Sequence, residues 1–442
     1  MRIIDGFQRA KSILSRQPSA EFYSVSPALK SSIKEVFGQE LDPEQVVRQI
    51  IEEVRHRGDA ALFDYTVKID GVKLSSLEIG KQQVDDAYRE VDSELVSALK
   101  LAAERIGSFH LAQKDNIGSG VRVTNSEAGW LIRPLQRIGI YVPGGTACYP
   151  STVLMTAIPA KVAGVKEVIL ATPPGAGGGV PSPTLVAADI AKVDRIFSIG
   201  GAQAIAALAF GTESIPRVDK VCGPGNIFVI LAKRMVYGVV DIDSLPGPSE
   251  VLIIADETAN PEHCAADLLA QAEHDPLASA ILVTTSQRLA NEVNQQVKQQ
   301  LESLPRRAIA TESLEDKGVI AVVGNVEEAI ELANLYAPEH LCLMMERATD
   351  YIDQLSNVGC IVTGRHSTVV LGDYVAGPSH VLPTGGTARF SSPLNISDFI
   401  KFIDLINVDK ASLKELGKAA SIIARAEGLE AHARAVEKRL EE

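Results

Sequence analysis

A glutamine and a histidine stand three residues apart in the segment LLAQAEHDP, which has the periodicity of a helix. Gln271 and His274 would then share one helical face, with Cβ atoms about 5–6 Å apart, close enough to bind one metal ion. A solvated glutamine next to a histidine that ends the helix before Pro276 explains the same spacing. His263 returns to this face about 16 Å away along the helix axis, so we expect it at the surface.

A second candidate is the segment YAPEHL, from Tyr336 to Leu341, which connects a helix to an apolar strand. Glu339 and His340 place a carboxylate beside an imidazole, and both groups can transfer protons. The proline between Ala337 and Glu339 stiffens the turn that holds them. An ordinary loop with an exposed glutamate and histidine would have the same sequence, so the motif by itself leaves both interpretations open.

Two further segments contain residues of the types that bind metals. The segment GDYVAGPSHVLPTGG contains Asp373 and His380, whose oxygen and nitrogen atoms suit zinc. The segment EGLEAHA contains Glu427 and His432, which are five residues apart and do not share a face of a continuous helix. Gly428 could interrupt that helix. A long loop and a surface helix are the alternative interpretations of these two segments.

Glycines follow two predicted strands in a way that suits a nucleotide. In YVPGGTACYPST, Tyr141 ends a strand shortly before two glycines. In SIGGAQAIAAL, Gly200 and Gly201 lead from a strand into a helix whose N-terminus would attract phosphate. Neither segment has the GxGxxG pattern. A close turn between a strand and a helix accounts for these glycines equally well.

The candidate residues lie among apolar runs that alternate with helix-like segments. The runs RIGIYV, EVILAT, RIFSIG and KVCG follow one another between Arg137 and Gly238, and VLIIAD, ILVTT, VIAVV, LCLMM and GCIVTG follow from Val251. This alternation predicts two α/β units with mainly parallel sheets covered on both faces. Before Gly120 and after Pro393 the chain has the period of helices.

The composition limits the classes of function. A chain of 442 residues with 46% hydrophobic residues is expected to form two or more folded units. Its net charge of −13 opposes nucleic-acid binding, which depends on basic residues. No apolar run reaches the roughly eighteen residues of a membrane helix, and the N-terminus lacks a signal-peptide pattern. The five cysteines form no CxxC pair, which argues against disulfides and a cysteine zinc site and favours the cytoplasm.

The segments quoted above occur in one order and spacing together with GGAQAIAALAFGT, CGPGN and GPSEV. Taken together they closely resemble the histidinol dehydrogenase family over nearly the whole chain. The resemblance implies an α/β fold of two incomplete Rossmann-like domains with parallel sheets, similar overall to aldehyde dehydrogenases. We expect a helical arm over 1–31, a discontinuous α/β domain over 32–139 and 249–393, an NAD-binding α/β domain over 140–248, and a C-terminal helical segment over 394–442.

The resemblance also implies the residues of the site. One zinc ion per subunit would be bound by Gln271, His274, Asp373 and His432, with His432 supplied by the other subunit of a homodimer. Glu339 and His340 would form the acid–base pair. The metal ligands would also contact the substrate L-histidinol, together with Ser249, His340, His380 and, from the other subunit, Glu427. The NAD contacts implied are Tyr141, Gln203 and Asn226.

The implied reaction oxidises L-histidinol to L-histidine with two NAD, in the last steps of histidine biosynthesis. His340, with an ordinary pKa of about 6.5, would take the hydroxyl proton, and Glu339 would activate the water that attacks the aldehyde. Packing, not nucleophilic attack, is the role we expect for Cys148. The alternatives are a dehydrogenase of the same fold for another polar alcohol, such as a sulfonated diol, and a catalytically silent binding protein. The presence of every implied ligand opposes the second alternative.

Overall fold

The computed structural model describes residues 1–16, 27–118, 120–123, 128–144, 148–175, 177–364 and 366–441. The strands in these ranges are β1 (Arg2–Asp5), β2 (Gly120–Val123), β3 (Ala128–Pro134), β4 (Arg137–Tyr141), β5 (Glu167–Thr172), β6 (Arg195–Ser198), β7 (Lys220–Cys222), β8 (Asp241–Ile242), β9 (Glu250–Ala255), β10 (Ser279–Thr284), β11 (Val319–Val322), β12 (His340–Met344), β13 (Cys360–Thr363) and β14 (Ile400–Ile406).

The α-helices are α1 (Phe7–Leu14), α2 (Pro27–Phe37), α3 (Pro43–Arg57), α4 (Asp59–Tyr65), α5 (Lys81–Glu90), α6 (Ser93–Ile117), α7 (Pro150–Ala163), α8 (Ser182–Ile190), α9 (Gly201–Phe210), α10 (Ile227–Val236), α11 (Pro261–Ala272), α12 (Gln287–Leu301), α13 (Arg307–Asp316), α14 (Val326–Tyr336), α15 (Val369–Tyr374), α16 (Lys410–Ala426) and α17 (Glu430–Leu440). A π-helical turn follows α4, and short 3₁₀ turns lie at Ala348–Gln354, Thr387–Arg389 and Ile396–Phe399. Within the described ranges, no helix is both long and apolar enough to cross a membrane.

Two parallel sheets organise the chain, as the alternating pattern predicts. The five-stranded sheet has the order β6-β5-β4-β7-β8, and the six-stranded sheet has the order β1-β11-β10-β9-β12-β13. Every pairing in both sheets is parallel. Each predicted apolar run forms a strand, because strands covered on both faces need apolar side chains at consecutive positions. The prediction of an α/β fold with parallel sheets is therefore confirmed.

The two faces of the five-stranded sheet are covered by different helices. Ile169 and Ala171 of β5 pack with α2, α3, α4, α9 and α10, whereas Val168 and Leu170 pack with α5, α6, α7 and α8. The helices between 27 and 117 thus lie on the five-stranded sheet. This packing differs from the predicted grouping of 32–139 with 249–393, because the sheet needs these helices to bury its outer surfaces.

The six-stranded sheet is also covered on both faces. Val251 and Ile253 of β9 pack with α11, α12 and α13, whereas Leu252 and Ile254 pack with α1 and α14. The N-terminus takes part in this layer, since β1 pairs with β11 at the edge of the sheet. The predicted helical arm over 1–31 is thus wrong for its first residues: a four-residue edge strand with only Ile4 buried has too few positions to show a strand pattern.

The C-terminal region is not entirely helical either. Strand β14 pairs antiparallel with β3, which pairs in turn with β2, and so forms a three-stranded sheet outside both parallel layers. The sequence IKFIDLI of β14 is rich in β-branched residues, which favour strands. Helices α16 and α17 follow and pack against each other as a hairpin. The helical prediction for 394–442 holds for these two helices and fails for β14.

A fully buried ion pair fixes the turn that follows β7. Lys233 of α10 forms an ion pair with Asp243, and its Nζ donates to the carbonyl oxygen of Gly223 at 3.0 Å. The Asp243 carboxylate accepts from the Gly223 N–H at 2.7 Å. Gly223 has φ +114°, and a Cβ there would lie 2.0 Å from the carbonyl oxygen of Tyr141. The turn therefore requires glycine, and two buried charges hold it in place.

We expect Lys233→Met to destabilise the protein by about 3–5 kcal/mol, because it leaves the Asp243 carboxylate buried without its partner. Arg288→Met is the matched control, since Arg288 pairs with Glu292 on an exposed helical face and should cost less than about 1 kcal/mol. Urea unfolding followed by circular dichroism measures both. Equal midpoints for the two variants would contradict this account of the turn.

Candidate active site between the two sheets

A cleft of about 990 Å³ lies between the two parallel layers. The five-stranded sheet contributes the segments after the carboxyl ends of β4, β7 and β8, and the six-stranded sheet contributes the amino ends of β9 and β12. Ligand sites of open α/β sheets lie beyond the carboxyl ends of the strands. The cleft brings together eight of the residues predicted for the site: Asn226, Ser249, Gln271, His274, Glu339, His340, Asp373 and His380.

Glu339 and His340 reach the cleft through a sharp exit from α14. That helix ends at Tyr336, and Ala337 takes the left-handed conformation at φ 54°, which is unusual for a residue other than glycine. Pro338 follows, and β12 begins at His340. Neighbouring β13 fixes this segment, because the N–H of Cys360 donates to the Glu339 carbonyl oxygen at 2.8 Å.

Glu339 is a buried carboxyl group with an altered acidity. Its Oε2 accepts a hydrogen bond from the backbone N–H of Glu250 at 2.8 Å. Burial raises the pKa of Glu339 to about 7, against the opposing influence of His340 and of this hydrogen bond. A carboxyl group with a pKa near neutrality can alternate between acid and base at physiological pH. The exposed-loop interpretation of YAPEHL is therefore wrong.

Both ring nitrogens of His340 face acceptors. Nδ1 lies 3.3 Å from the carbonyl oxygen of Glu250, and Nε2 lies 3.2 Å from Oδ1 of Asp373. Burial by itself lowers the pKa of His340, but the hydrogen bond to Asp373 and the charges of Glu339 and Asp373 outweigh burial and raise it. Nδ1 is held by the backbone, so Nε2 is the atom that can exchange a proton within the cleft.

His380 lies on the other side of Asp373. Its Nδ1 donates to the Asp373 carbonyl oxygen at 2.8 Å, since a carbonyl can only accept. Burial lowers the pKa of His380, so the ring is neutral and Nε2 carries a lone pair. This Nε2 lies 3.3 Å from the hydroxyl oxygen of Thr152, at the start of α7. His380 thus presents an acceptor where the two layers meet.

Gln271 and His274 lie at the end of α11, where the helix stops at Ala272. The chain continues in a turn, with the His274 N–H donating to the Gln271 carbonyl oxygen at 3.2 Å. His274 is accessible from the mouth of the cleft, yet the surrounding walls exclude enough water to lower its pKa. A neutral histidine keeps the lone pair that a metal ligand needs. The spacing prediction is thus correct for the common cleft, although the helix ends between the two residues.

The side chains of Gln271, His274 and Asp373 offer one amide oxygen, one imidazole and one carboxylate to the same cleft. These donors fit zinc in type. In the part of the chain that the structure describes, no group of three or more His, Cys, Asp or Glu residues is arranged to hold a metal. A metal at this place would therefore depend on the glutamine and on a ligand from elsewhere.

A partly buried hydrogen bond links the two elements that carry these donors. Thr368 caps the short helix α15 that bears Asp373, and its hydroxyl donates to Asp267 at 2.7 Å. Asp267 lies one helical turn before Gln271 on α11. The bond therefore sets the spacing between Asp373 and Gln271.

The nucleotide-side residues divide between the cleft and the core behind it. Asn226 lines the cleft and caps α10, its Oδ1 accepting from the Phe228 N–H at 3.1 Å. Tyr141 is buried, and its hydroxyl accepts from the Gly201 N–H at 3.1 Å. Gln203 is fully buried, and neither polar atom of its side chain has a partner within the described residues. An unsatisfied buried amide is costly and is typical of a site whose ligand supplies the partner.

Glu427 and His432 do not lie in this cleft. Glu427 follows α16 and His432 lies in the first turn of α17, and both are exposed. His263, predicted at the surface, is exposed as well. The chain by itself therefore brings together the predicted residues from the two sheets and leaves out those of the C-terminal hairpin.

Sequence reasoning missed three residues that shape the site. Glu250 supplies both backbone groups that bind Glu339 and His340. Arg16 forms an ion pair with the Glu250 side chain, and Thr152 contacts His380. Glu250 lies in the segment GPSEV and could have been found from that motif. Arg16 and Thr152 have no local signal, because their partners are more than two hundred residues away.

This cleft defines an α/β enzyme in which one parallel layer supplies acid–base groups and the other supplies glycine turns. The chain belongs to the histidinol dehydrogenase family, whose model matches residues 37–440. It is 57% identical to the histidinol dehydrogenase of Dehalococcoides mccartyi strain CBDB1 over 441 residues, covering 100% of both chains. It is 50% identical to that of Halalkalibacterium halodurans over 399 residues, covering 90% of this chain and 94% of the relative.

A solved structure gives the same result. The crystal structure of histidinol dehydrogenase from Elizabethkingia anophelis superposes with a TM-score of 0.91 at 36% identity. The superposition covers 100% of this chain and 98% of the other. The family resemblance predicted from the motifs is therefore confirmed.

The raised pKa of Glu339 can be measured directly. We expect ¹³C NMR of protein labelled at the glutamate carboxyl carbons to show a group titrating near pH 7 that is lost in Glu339→Gln, because burial disfavours its charged form. The control is Glu346→Gln, at an exposed position after β12, which should leave this titration unchanged. If Glu339→Gln instead removed a resonance that titrates near the ordinary glutamate pKa of about 4.3, the raised pKa of Glu339 would be contradicted.

Proposed function

We propose that this protein is a zinc- and NAD-dependent dehydrogenase that oxidises L-histidinol through L-histidinaldehyde to L-histidine. One observation carries the proposal: a single cleft presents the donors Gln271, His274 and Asp373 beside the buried pair Glu339–His340. The family and the named relatives support the same substrate. The proposed place of action is the cytoplasm, where this reaction would complete histidine biosynthesis.

Each oxidation removes a hydride from carbon and a proton from oxygen. When bound, NAD would accept the hydride and zinc would hold the imidazole and amino nitrogens of the substrate. Gln271, His274 and Asp373 would bind that zinc, and Ser249 and His380 lie where they can contact the polar substrate. The residues of the chain thus orient the carbinol carbon, which is how a positioned site lowers the barrier.

In the first oxidation the alcohol becomes an aldehyde and its hydroxyl proton must leave. We assign this proton to Nε2 of His340, which faces the cleft while Nδ1 is held by the Glu250 carbonyl. The charge that develops on the imidazole is stabilised by Asp373 and Glu339 at 3.2 and 3.7 Å. Only neutral His340 can accept the hydroxyl proton. The contact between Asp373 and Nε2 must therefore break before this step.

The second oxidation needs a water molecule, because the carboxylic acid contains one oxygen more than the aldehyde. Glu339 would take a proton from that water as its oxygen bonds to the aldehyde carbon. The resulting gem-diolate would then become the carboxylic acid by giving up a hydride, for which a second NAD would be the acceptor. The pKa of about 7 suits this role, since a carboxylate with an ordinary pKa would be a much weaker base.

The second layer would bind the cofactor. The turn held by Lys233 and Asp243 lines the cleft next to Asn226, so its backbone can approach a nucleotide closely. The unsatisfied amide of Gln203 and the hydroxyl of Tyr141 lie behind this wall. We propose that NAD contacts Tyr141, Gln203 and Asn226, and that the bound cofactor satisfies the Gln203 amide.

A homodimer would supply the two predicted site residues, Glu427 and His432, that lie outside this cleft. In the described part of the chain, neither helix of the C-terminal hairpin packs extensively on an element outside the hairpin. The hairpin leaves Ile422 and Ile423 each 58% exposed, and β14 leaves Ile406 77% exposed. Apolar side chains left exposed to this extent are typical of a protein interface. We propose that the hairpin crosses to a second copy of the chain and places Glu427 and His432 in its cleft.

With this crossing, His432 would become the fourth zinc ligand and Glu427 a substrate contact. Gln271, His274 and Asp373 of one chain and His432 of the other would then hold the zinc, which would also bind the nitrogens of the substrate. The other candidate, oxidation of a sulfonated diol, has no observation in its favour. The cleft offers a carboxylate and neutral imidazoles to the substrate, which would repel a sulfonate or fail to neutralise it.

The proposed chemistry predicts a fixed stoichiometry. We expect two NADH per L-histidinol, activity lost with a strong chelator, and activity restored by zinc. Glu339→Gln should still form the first NADH but slow the second by about 10²–10⁴-fold, because the water loses its base. In the native enzyme the second step should gain rate as pH rises through about 7, where Glu339 becomes ionised.

Absorbance at 340 nm and product analysis distinguish the steps, since the variant should accumulate the aldehyde. Glu346→Gln again serves as the matched control, as an exposed glutamate outside the cleft. Absence of NADH from the zinc-loaded native protein would refute the histidinol assignment. Two NADH at the native rate from Glu339→Gln would refute only the role of Glu339.

The crossed dimer is tested by mixing two variants, neither of which should complete the second oxidation to L-histidine by itself. Glu339→Gln fails in its own cleft, whereas His432→Ala would fail in the cleft of its partner. A hybrid dimer then contains one intact site, and random pairing should recover about a quarter of native activity. Co-expression with two purification tags isolates the hybrids. A hybrid without activity would contradict the crossing, and an active His432→Ala homodimer would contradict the ligand assignment.

A further inference from the structure

Arg16 lies just beyond α1 and inserts its side chain behind the acid–base pair. Its Nη2 forms an ion pair with Oε2 of Glu250 at 2.7 Å. Its Nε donates to the carbonyl oxygen of Tyr336 at 2.7 Å, and its guanidinium stacks on the Tyr336 ring at 3.9 Å from the ring centre. One side chain thus joins the start of β9 to the end of α14.

These two attachment points are the supports of Glu339 and His340. Glu250 donates its N–H to Glu339 and accepts from His340 with its carbonyl. Tyr336 is the last helical residue before the left-handed Ala337 and the acid–base pair. A change in the distance between β9 and α14 would therefore move both proton-transfer groups relative to each other.

The ion pair also compensates a charge that would otherwise be buried alone. The Glu250 side chain is almost completely buried, whereas Arg16 is partly exposed. A buried carboxylate without a partner is costly. Removing Arg16 would favour either protonation of Glu250 or movement of β9 toward water, and the second would displace the backbone that holds Glu339.

We infer that Arg16 is a positioning residue for the Glu339–His340 pair, acting through the backbone of Glu250 and Tyr336. This inference deepens the proposed function and rests on it for its kinetic consequence. Its structural consequence is independent: without Arg16, the Glu250 N–H should be held less firmly on Glu339. The role belongs to the N-terminal segment, of which the described residues 1–16 contribute nothing to the wall of the cleft.

The test compares Arg16→Gln and Arg16→Lys with a matched control, Lys11→Gln. Lys11 belongs to the same N-terminal segment and pairs with Glu331 on the surface of α14, so its loss loosens the segment without touching Glu250. Hydrogen exchange measured by mass spectrometry follows peptides spanning 247–253 and 337–344. Steady-state kinetics with L-histidinol and NAD gives kcat and KM for each variant.

For Arg16→Gln we expect faster exchange in both peptides and a kcat lower by about ten- to a hundredfold, because a small displacement of catalytic groups is costly. KM should stay within about threefold, since most contacts to substrate and cofactor are made by other residues. Arg16→Lys keeps the positive charge but loses both the stacking on Tyr336 and the guanidinium group that reaches two partners at once. Its exchange rates and kcat should lie between those of the native protein and Arg16→Gln. Lys11→Gln should match the native protein in every measurement.

Unchanged exchange in the two peptides, or a native kcat for Arg16→Gln, would overturn the inference. Equal effects in Lys11→Gln would also overturn it, because the loss would then reflect the N-terminal segment as a whole. If the native protein forms no NADH from L-histidinol, the proposed function fails, and the exchange data alone decide the role of Arg16.

Discussion

Glu339 is a carboxyl group held away from water, and the arrangement around it follows from the cost of that burial. A buried acid needs a donor, which the N–H of Glu250 provides, and a neighbour that can carry positive charge, which is His340. His340 in turn is held by the Glu250 carbonyl and Asp373. Strand β9, the exit from α14 and helix α15 are therefore constrained together around one group whose pKa is near 7.

The two sheets make unequal contributions to the cleft. The six-stranded layer turns the amino ends of β9 and β12 toward it and supplies the charged and metal-binding types of side chain. The five-stranded layer turns the carboxyl ends of its strands toward the cleft and supplies main-chain groups. Among these, Gly223 is held in place by Lys233 and Asp243. Under the proposed function, chemistry and nucleotide binding fall on separate layers, which keeps each set of groups oriented while the space between them stays open.

The C-terminal hairpin is packed differently from the rest of the chain. Its inner face is satisfied locally, with Gly417 close to Val436 and Arg425 paired with Glu430 and Glu437. Its outer face is apolar and exposed. A polypeptide that is well packed inside and apolar outside is stable only when another surface covers it, which is why we place the missing residues of the cleft on a second copy.

The sequence by itself determined the α/β class, each strand of the two parallel sheets except the short β1 and β8, and the family. These follow from local patterns: buried strands read as apolar runs, and the motifs around Gln271, Glu339 and Asp373 keep their order. Only the tertiary structure decided that the helices between residues 27 and 117 cover the five-stranded sheet, that β14 pairs with β3, and that Arg16 supports Glu250. Those contacts join residues far apart in the chain, and their energy depends on which surfaces remain to be buried, which no local pattern records.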